Sequence, residues 1–244
     1  MTLYIIGLGL DLEDLSLKAL ERIKSSKEVY LESYTSILPE KEELEKIYKK
    51  KIILAGRDLV ESNFSEIIKK AKKENISILI PGDVFSATTH ISMFHEAKKN
   101  KVDVEVINNA SILTAVGITG LELYKFGRVA SIPFNNNKVK TPVEILKDNW
   151  KLNLHTLFLL DLDNENRKYL TIKEAIGFLL KNKIKKETRA IGCARLGNKN
   201  YNIISGTLEK LKEKNYGKPP YCLIIPAKKL HFIEEEMIQS WNSQ

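Results

Sequence analysis

Short apolar runs alternate with amphipathic helical stretches along this chain, and that alternation leaves few folds open. Residues 3–8 form an apolar run broken by Gly7 and Gly9, the pattern of a buried strand ending in a tight turn. Residues 14–26 carry Leu15, Leu17, Leu20 and Ile23 at helical spacing, with Asp14 or Ser16 as the cap. Strands over 28–31, 51–54, 76–80 and 102–107 alternate with helices over 40–49, 62–73 and 87–100. Pro39 precedes the first of those helices, and Phe64, Ile67, Ile68 and Ala71 line one side of the second. Such alternation builds βαβ units with right-handed crossovers and a mainly parallel sheet.

The second half begins near Ser111. It reads as strands over 129–132, 155–161, 190–194, 201–204 and 221–225, with helices over 142–150, 171–181, 208–214 and 234–241. The expectation is an α/β protein of two α/β domains, residues 1–108 and 109–244, with mainly parallel sheets.

Composition narrows the function classes. Hydrophobic residues are 43% and charged residues 29% of the 244, the balance of a globular protein. The apolar runs fall short of the roughly 18 residues that a membrane-spanning helix needs, and the start has no basic, apolar, small-residue leader. A soluble, cytoplasmic protein without membrane attachment is expected. Cys193 and Cys222 sit in separate strand-like runs and read as buried, reduced thiols. His90, His95, His155 and His231 form no metal-ligand pattern, so no metal is expected. The net charge is +8, but Lys greatly outnumbers Arg and is scattered over helix faces, which reads as a solvated surface with no need for direct nucleic-acid contact.

Several strands end in turn-forming or polar residues: Gly7-Leu8-Gly9-Leu10, Pro81-Gly82-Asp83, Asn108 through Ile112, and Leu160-Asp161. Open α/β sheets bind ligands outside the carboxyl ends of their strands, so these segments mark a small-molecule site. Gly7-x-Gly9 lacks the third glycine of a dinucleotide fingerprint, and there is no phosphate-binding P-loop. Asp83, lifted out of its strand by Pro81-Gly82, is placed to meet a ribose, an ammonium or a sulfonium, or to cap the next helix. Ser111 is placed either at the ligand or as a cap.

The same segments, in this order, resemble the archaeal-type diphthine synthase family of the tetrapyrrole-methylase-like methyltransferases. The resemblance runs nearly end to end. It is carried by Leu3-Tyr4-Ile5-Ile6-Gly7-Leu8-Gly9-Leu10, Asp14-Leu15-Ser16-Leu17-Lys18, Glu32-Ser33-Tyr34-Thr35-Ser36, and Pro81-Gly82-Asp83 followed by Ala87-Thr88-Thr89-His90. Asn109-Ala110-Ser111-Ile112, Gly192-Cys193-Ala194-Arg195-Leu196-Gly197 and Lys229-Leu230-His231-Phe232 extend it.

What the resemblance implies is an enzyme that transfers methyl groups from S-adenosyl-L-methionine to the amine of an aminocarboxypropyl-histidine on translation elongation factor 2. The product is diphthine, in diphthamide biosynthesis. It further implies a homodimer, and a cofactor cleft between the two domains. By motif position the cofactor contacts are Leu10, Asp83, Ser86, Ser111, Ile112, Leu160, Leu196 and Tyr221, several through backbone groups. No catalytic residue is assigned. Val84, Ser86, Tyr221 and Ala227 depart from the family pattern, at positions where Pro, an aliphatic residue, His and Gly are usual. The alternatives are a methylase of corrin or sirohaem precursors and a non-catalytic basic module that binds RNA or the ribosome.

Overall fold

The computed structural model describes residues 1–37, 41–164 and 166–242. The chain divides into two compact units, Met1–Leu113 and Thr114–Gln244. The expected start of the second helix at Pro39 and Glu40 lies outside the described residues.

The first unit runs β1 (Thr2–Gly7), α1 (Leu17–Ser25), β2 (Glu28–Glu32), α2 (Lys41–Tyr48), β3 (Ile52–Ala55), α3 (Phe64–Ala71), β4 (Ile76–Ile80), α4 (Ile91–Lys99) and β5 (Asp103–Ile107). Its sheet has the order β3-β2-β4-β1-β5, and every pairing is parallel. Successive strand residues face opposite sides. Leu3, Ile5, Ile76 and Ile78 therefore pack with Phe64, Ile67, Ile68, Met93 and Ala97 of α3 and α4. Tyr4, Ile6, Val29 and Leu31 pack with Ala19, Ile23, Leu44 and Tyr48 of α1 and α2. Helices cover both faces, which is why the strands read as continuous apolar runs.

Two local expectations change. In α1 the Ser16 hydroxyl caps Ala19 N at 3.1 Å, but the buried stripe is Ala19 and Ile23, while Leu17 is 87% exposed. And α4 starts at Ile91, not residue 87. Ala87 has a φ of 59°, which a right-handed helix cannot hold, so the helix waits until the chain has turned back.

The second unit opens within the short α5 (Ile112–Ala115). It continues with β6 (Ala130–Ile132), α6 (Thr141–Lys151), β7 (Thr156–Leu160), the ribbon β8 (Leu162–Asp163) and β9 (Lys168–Tyr169), and α7 (Ile172–Lys181). Then come β10 (Arg189–Ala194), β11 (Asn202–Thr207), α8 (Leu208–Leu211), β12 (Tyr221–Ile225) and α9 (Phe232–Ser240). The sheet order is β11-β10-β12-β7-β6. Here the expectation of a mainly parallel sheet fails: only β6–β7 is parallel, and β10–β11, β10–β12 and β12–β7 are antiparallel. The link between β10 and β11, residues 195–201, is shorter than the dozen or so residues a parallel crossover needs.

A buried charged knot fastens α9. Glu234 is fully buried. Its carboxylate accepts from His231 N at 2.8 Å, Glu122 N at 3.1 Å and the Lys125 ammonium, and it meets His155 Nε2 at 2.9 Å. His155 Nδ1 accepts from Ala227 N at 2.9 Å, so the ring's proton sits on Nε2 and points at Glu234. Burial pushes the Glu234 carboxyl up, but Lys125, the two backbone N–H groups and His155 outweigh it and hold it at about 2.

Candidate functional site

At the carboxyl end of the first sheet, the chains leaving β1 and β4 cross at van der Waals distance. Gly9 and Gly82 exchange both backbone hydrogen bonds, Gly9 N to Gly82 O at 3.0 Å and Gly82 N to Gly9 O at 2.8 Å. Both have φ of 79°. A Cβ on Gly7 would lie 2.7 Å from Gly82 O, so only glycine fits where the two backbones meet.

The turn after Gly9 is organised by Asp14, whose carboxylate accepts from Leu10 N at 2.8 Å and Asp11 N at 3.0 Å. Asn109, just past β5, donates its side-chain N–H groups to Gly7 O at 3.1 Å and Asp14 O at 3.0 Å. Sequence reasoning took Asp14 as a helix cap and placed Asn109 within a strand-end segment of the site, but named neither as a contact residue. Asp14 carries a local signal, an Asx side chain a few residues past a strand-end glycine that can bond nearby backbone, whereas the bonds of Asn109 are long-range and leave no local trace.

Asp83 joins the chains leaving β4 and β5. One carboxylate oxygen accepts from Phe85 N at 3.0 Å, Ser86 N at 3.1 Å and Ser86 Oγ at 2.9 Å, and the other accepts from Asn109 N at 3.2 Å. The residue is 8% exposed. Burial alone raises its pKa, yet these donors prevail and hold it below the usual carboxylate range. Asp83 is thus a fixed anion that caps its own turn, not α4. Ser111 is buried, and its hydroxyl accepts from Leu113 N at 3.2 Å; Ile112 opens α5. Leu10, Asp83, Ser86, Ser111 and Ile112 all lie on these strand-end segments of the first unit.

Leu160, Leu196 and Tyr221 lie at one end of the second sheet, on or just past its interior strands. Leu159 pairs with Cys222, and Ala194 pairs with Tyr221. The antiparallel register therefore sets the carboxyl ends of β7 and β10 beside the amino end of β12. Arg195 N donates to Pro220 O at 2.9 Å, which brings Leu196 back to Tyr221. The Tyr221 hydroxyl donates to Gly217 O, and burial raises its pKa. Leu160 and Leu196 are buried, leaving their backbone as the group a ligand can use.

Among the described residues no three His, Cys, Asp or Glu side chains group as metal ligands, and no helix is long and apolar enough to cross a membrane. Cys193 and Cys222 are buried, free thiols on facing strands.

Residues 2–212 match the family model described as Tetrapyrrole (Corrin/Porphyrin) Methylases. A probable diphthine methyl ester synthase of Arabidopsis thaliana is 39% identical over 269 residues, covering 97% of this chain and 97% of the relative. A diphthine synthase of Methanocaldococcus jannaschii is 39% identical over 251 residues, again covering 97% of each. A crystal structure of a diphthine synthase superposes with a TM-score of 0.93 at 36% identity, over 99% of this chain and 96% of that one. A structure of a diphthine synthase homologue from Entamoeba histolytica gives a TM-score of 0.90 at 34% identity, over 100% of this chain and 99% of that one. With full-length similarity at this level in both sequence and structure, the chain is a methyltransferase that belongs to the tetrapyrrole methylase family, among its diphthine synthases.

Proposed function

We propose that this chain methylates the amine of the aminocarboxypropyl-histidine on translation elongation factor 2, with S-adenosyl-L-methionine as donor, to give diphthine. The observation that carries this reading is the end-to-end similarity to an archaeal diphthine synthase and to a plant protein named a probable diphthine methyl ester synthase. The donor's chemistry is a methyl group made electrophilic by a sulfonium.

The residues at the strand ends fit such a ligand. Gly7 and Gly9 let the turns of the protein pack tightly against one another, Gly82 leaves open backbone beside them, and Asp83 offers a negative charge to a cationic molecule. We assign the donor to Leu10, Asp83, Ser86, Ser111 and Ile112, together with Leu160, Leu196 and Tyr221. Ser86 Oγ is already committed to Asp83, so Ser86 serves by fixing that carboxylate. Methyl transfer develops little charge that a strong acid or base must neutralise. Orientation and exclusion of water therefore supply most of the effect, about 7–11 kcal/mol where alignment is good. Cytoplasmic residence follows from the acceptor.

The test is mass spectrometry of elongation factor 2 carrying the aminocarboxypropyl-histidine, after incubation with this protein and S-adenosyl-L-methionine. Gains in steps of one methyl group are expected. The step count separates diphthine from its methyl ester, the two products named among the relatives. Donor binding without a gain would shift the reading to a corrin or sirohaem precursor. Salt-sensitive RNA binding without donor binding would shift it to the RNA or ribosome module.

A further inference from the structure

The same end of the first sheet carries a second polar cluster. The glycine turns, Asp83 and Asn109 come off β4, β1 and β5. On the other side, the chain leaving β2 carries Tyr34 and Thr35, and the chain leaving β3 carries Arg57 and Glu61. The β4 loop serves both clusters, since it begins with Asp83 and ends at His90.

Glu32, the last residue of β2, is fully buried, and its carboxylate is spent on neighbours: Tyr34 N, Thr35 N at 2.8 Å, and the Thr35 hydroxyl. The rings of Tyr34 and His90 meet edge to face with centroids 6.4 Å apart. The Arg57 guanidinium lies over the Tyr34 ring at 5.2 Å and stands 3.8 Å from Glu61. His90 is 1% exposed, whereas Tyr34 is only half-buried.

The Tyr34 hydroxyl and both His90 ring nitrogens are buried with no hydrogen-bond partner among the described residues. Glu61 and the Val84 carbonyl act on them electrostatically from outside hydrogen-bonding geometry. An unsatisfied buried polar atom costs about 1–3 kcal/mol, and folded chains satisfy nearly all of them. Three on one contacting pair, at the ligand end of a parallel sheet, form a receptor for a polar group. Glu32 and Glu61 make the surroundings acidic, and Arg57 is engaged with Glu61, so the group that fits is an ammonium.

We propose that Tyr34 and His90 form the acceptor side of the reaction, with the Tyr34 hydroxyl holding the substrate's ammonium and the His90 imidazole taking its proton. The proposal rests on the function given above. A protonated amine has no lone pair to offer. As its N–H bond breaks, the electron pair stays on the amine and the proton bonds to a ring nitrogen. The resulting imidazolium sits near Glu32 and Glu61, and loses its proton to water before the next round. The resting ring is neutral, as an acceptor must be. Burial pushes His90 below the ordinary histidine range, only partly offset by Glu32 and Glu61.

The experiment compares the intact wild-type chain with His90→Gln and Tyr34→Phe. Methyl transfer to elongation factor 2 bearing the intermediate is followed by mass spectrometry from about pH 6 to about pH 10, across the amine's own titration. Donor affinity is measured by calorimetry, and folding by circular dichroism. For His90→Gln the expected rate loss near neutral pH is about 100-fold. The rate then climbs toward wild type as the pH frees the amine, with donor affinity unchanged. Tyr34→Phe is expected to lose about tenfold, the worth of one hydrogen bond. A wild-type rate in His90→Gln, an equal loss at every pH, or a matching loss of donor affinity would overturn the proposal. Should His90→Gln fail to fold, Tyr34→Phe decides: slower transfer at unchanged donor affinity supports the assignment, and a wild-type rate overturns it. An inactive wild type overturns the function itself and this inference with it, whereas an active wild type with unaltered variants overturns this inference alone.

Discussion

Asp83 shows how one side chain does two jobs. It holds its own loop through Phe85, Ser86 and Asn109, and in the proposed donor site it also presents a charge to the ligand. Asp83→Ala should therefore raise the dissociation constant for S-adenosyl-L-methionine by about tenfold or more, which is about 1.4 kcal/mol. Titration calorimetry measures it, and unchanged affinity would remove Asp83 from the donor site. The position was legible in the sequence because Pro81-Gly82 announces a turn at a strand end. Asn109 was not, because nothing local says that its amide reaches Gly7 and Asp14, which are distant along the chain. The same holds for Tyr34 and His90, whose meeting depends on the order of the strands.

Among elements, helix and strand positions followed from periodicity, and the misreadings have identifiable causes. The helix expected from residue 87 starts at Ile91 because the Asp83 turn and the positive φ of Ala87 occupy the intervening chain, and apolar spacing does not register a turn built by side chains. The strand runs of the second unit were legible, but their direction was not. An apolar run reads alike in parallel and antiparallel company, and only the brevity of residues 195–201 gives it away. Helix α9 supplies a pH prediction. Glu234 is held at about 2 in the folded chain, against an ordinary value of 4.5, so its stabilisation is complete above about pH 4.5 and is lost as the pH falls toward 2. Burial sets His155 below 6.5 despite the pull of Glu234, so the unfolded chain takes up that proton first and stability begins to fall below about pH 6.5. Thermal melting across pH should show both steps. In Glu234→Gln the melting temperature at neutral pH should drop, with a cost of about 1–3 kcal/mol, and the fall below pH 4.5 should flatten.

At the scale of the whole molecule, the second unit exposes Ile118, Leu123, Tyr124, Phe232 and Ile233, with Tyr124 80% exposed. The Glu234 knot draws the segments that carry them together, through Glu122 and Lys125. A clustered apolar surface of this kind marks an association site, and we propose that a second copy of the chain covers it. Sedimentation equilibrium should give twice the chain mass. A single-chain mass that does not change with concentration would exclude the pair. The first unit carries a consequence for synthesis. Its strand order makes β1, the first of this unit's strands to be made, an interior strand whose neighbours are β4 and β5. β1 must wait for residues 76–80 and then 103–107 to emerge, several seconds at about 5–20 residues per second. Throughout that interval an apolar segment with both edges unpaired is open to chaperones, and the strand-end segment that carries Asn109, Ser111 and Ile112 is the last part of the unit to be made.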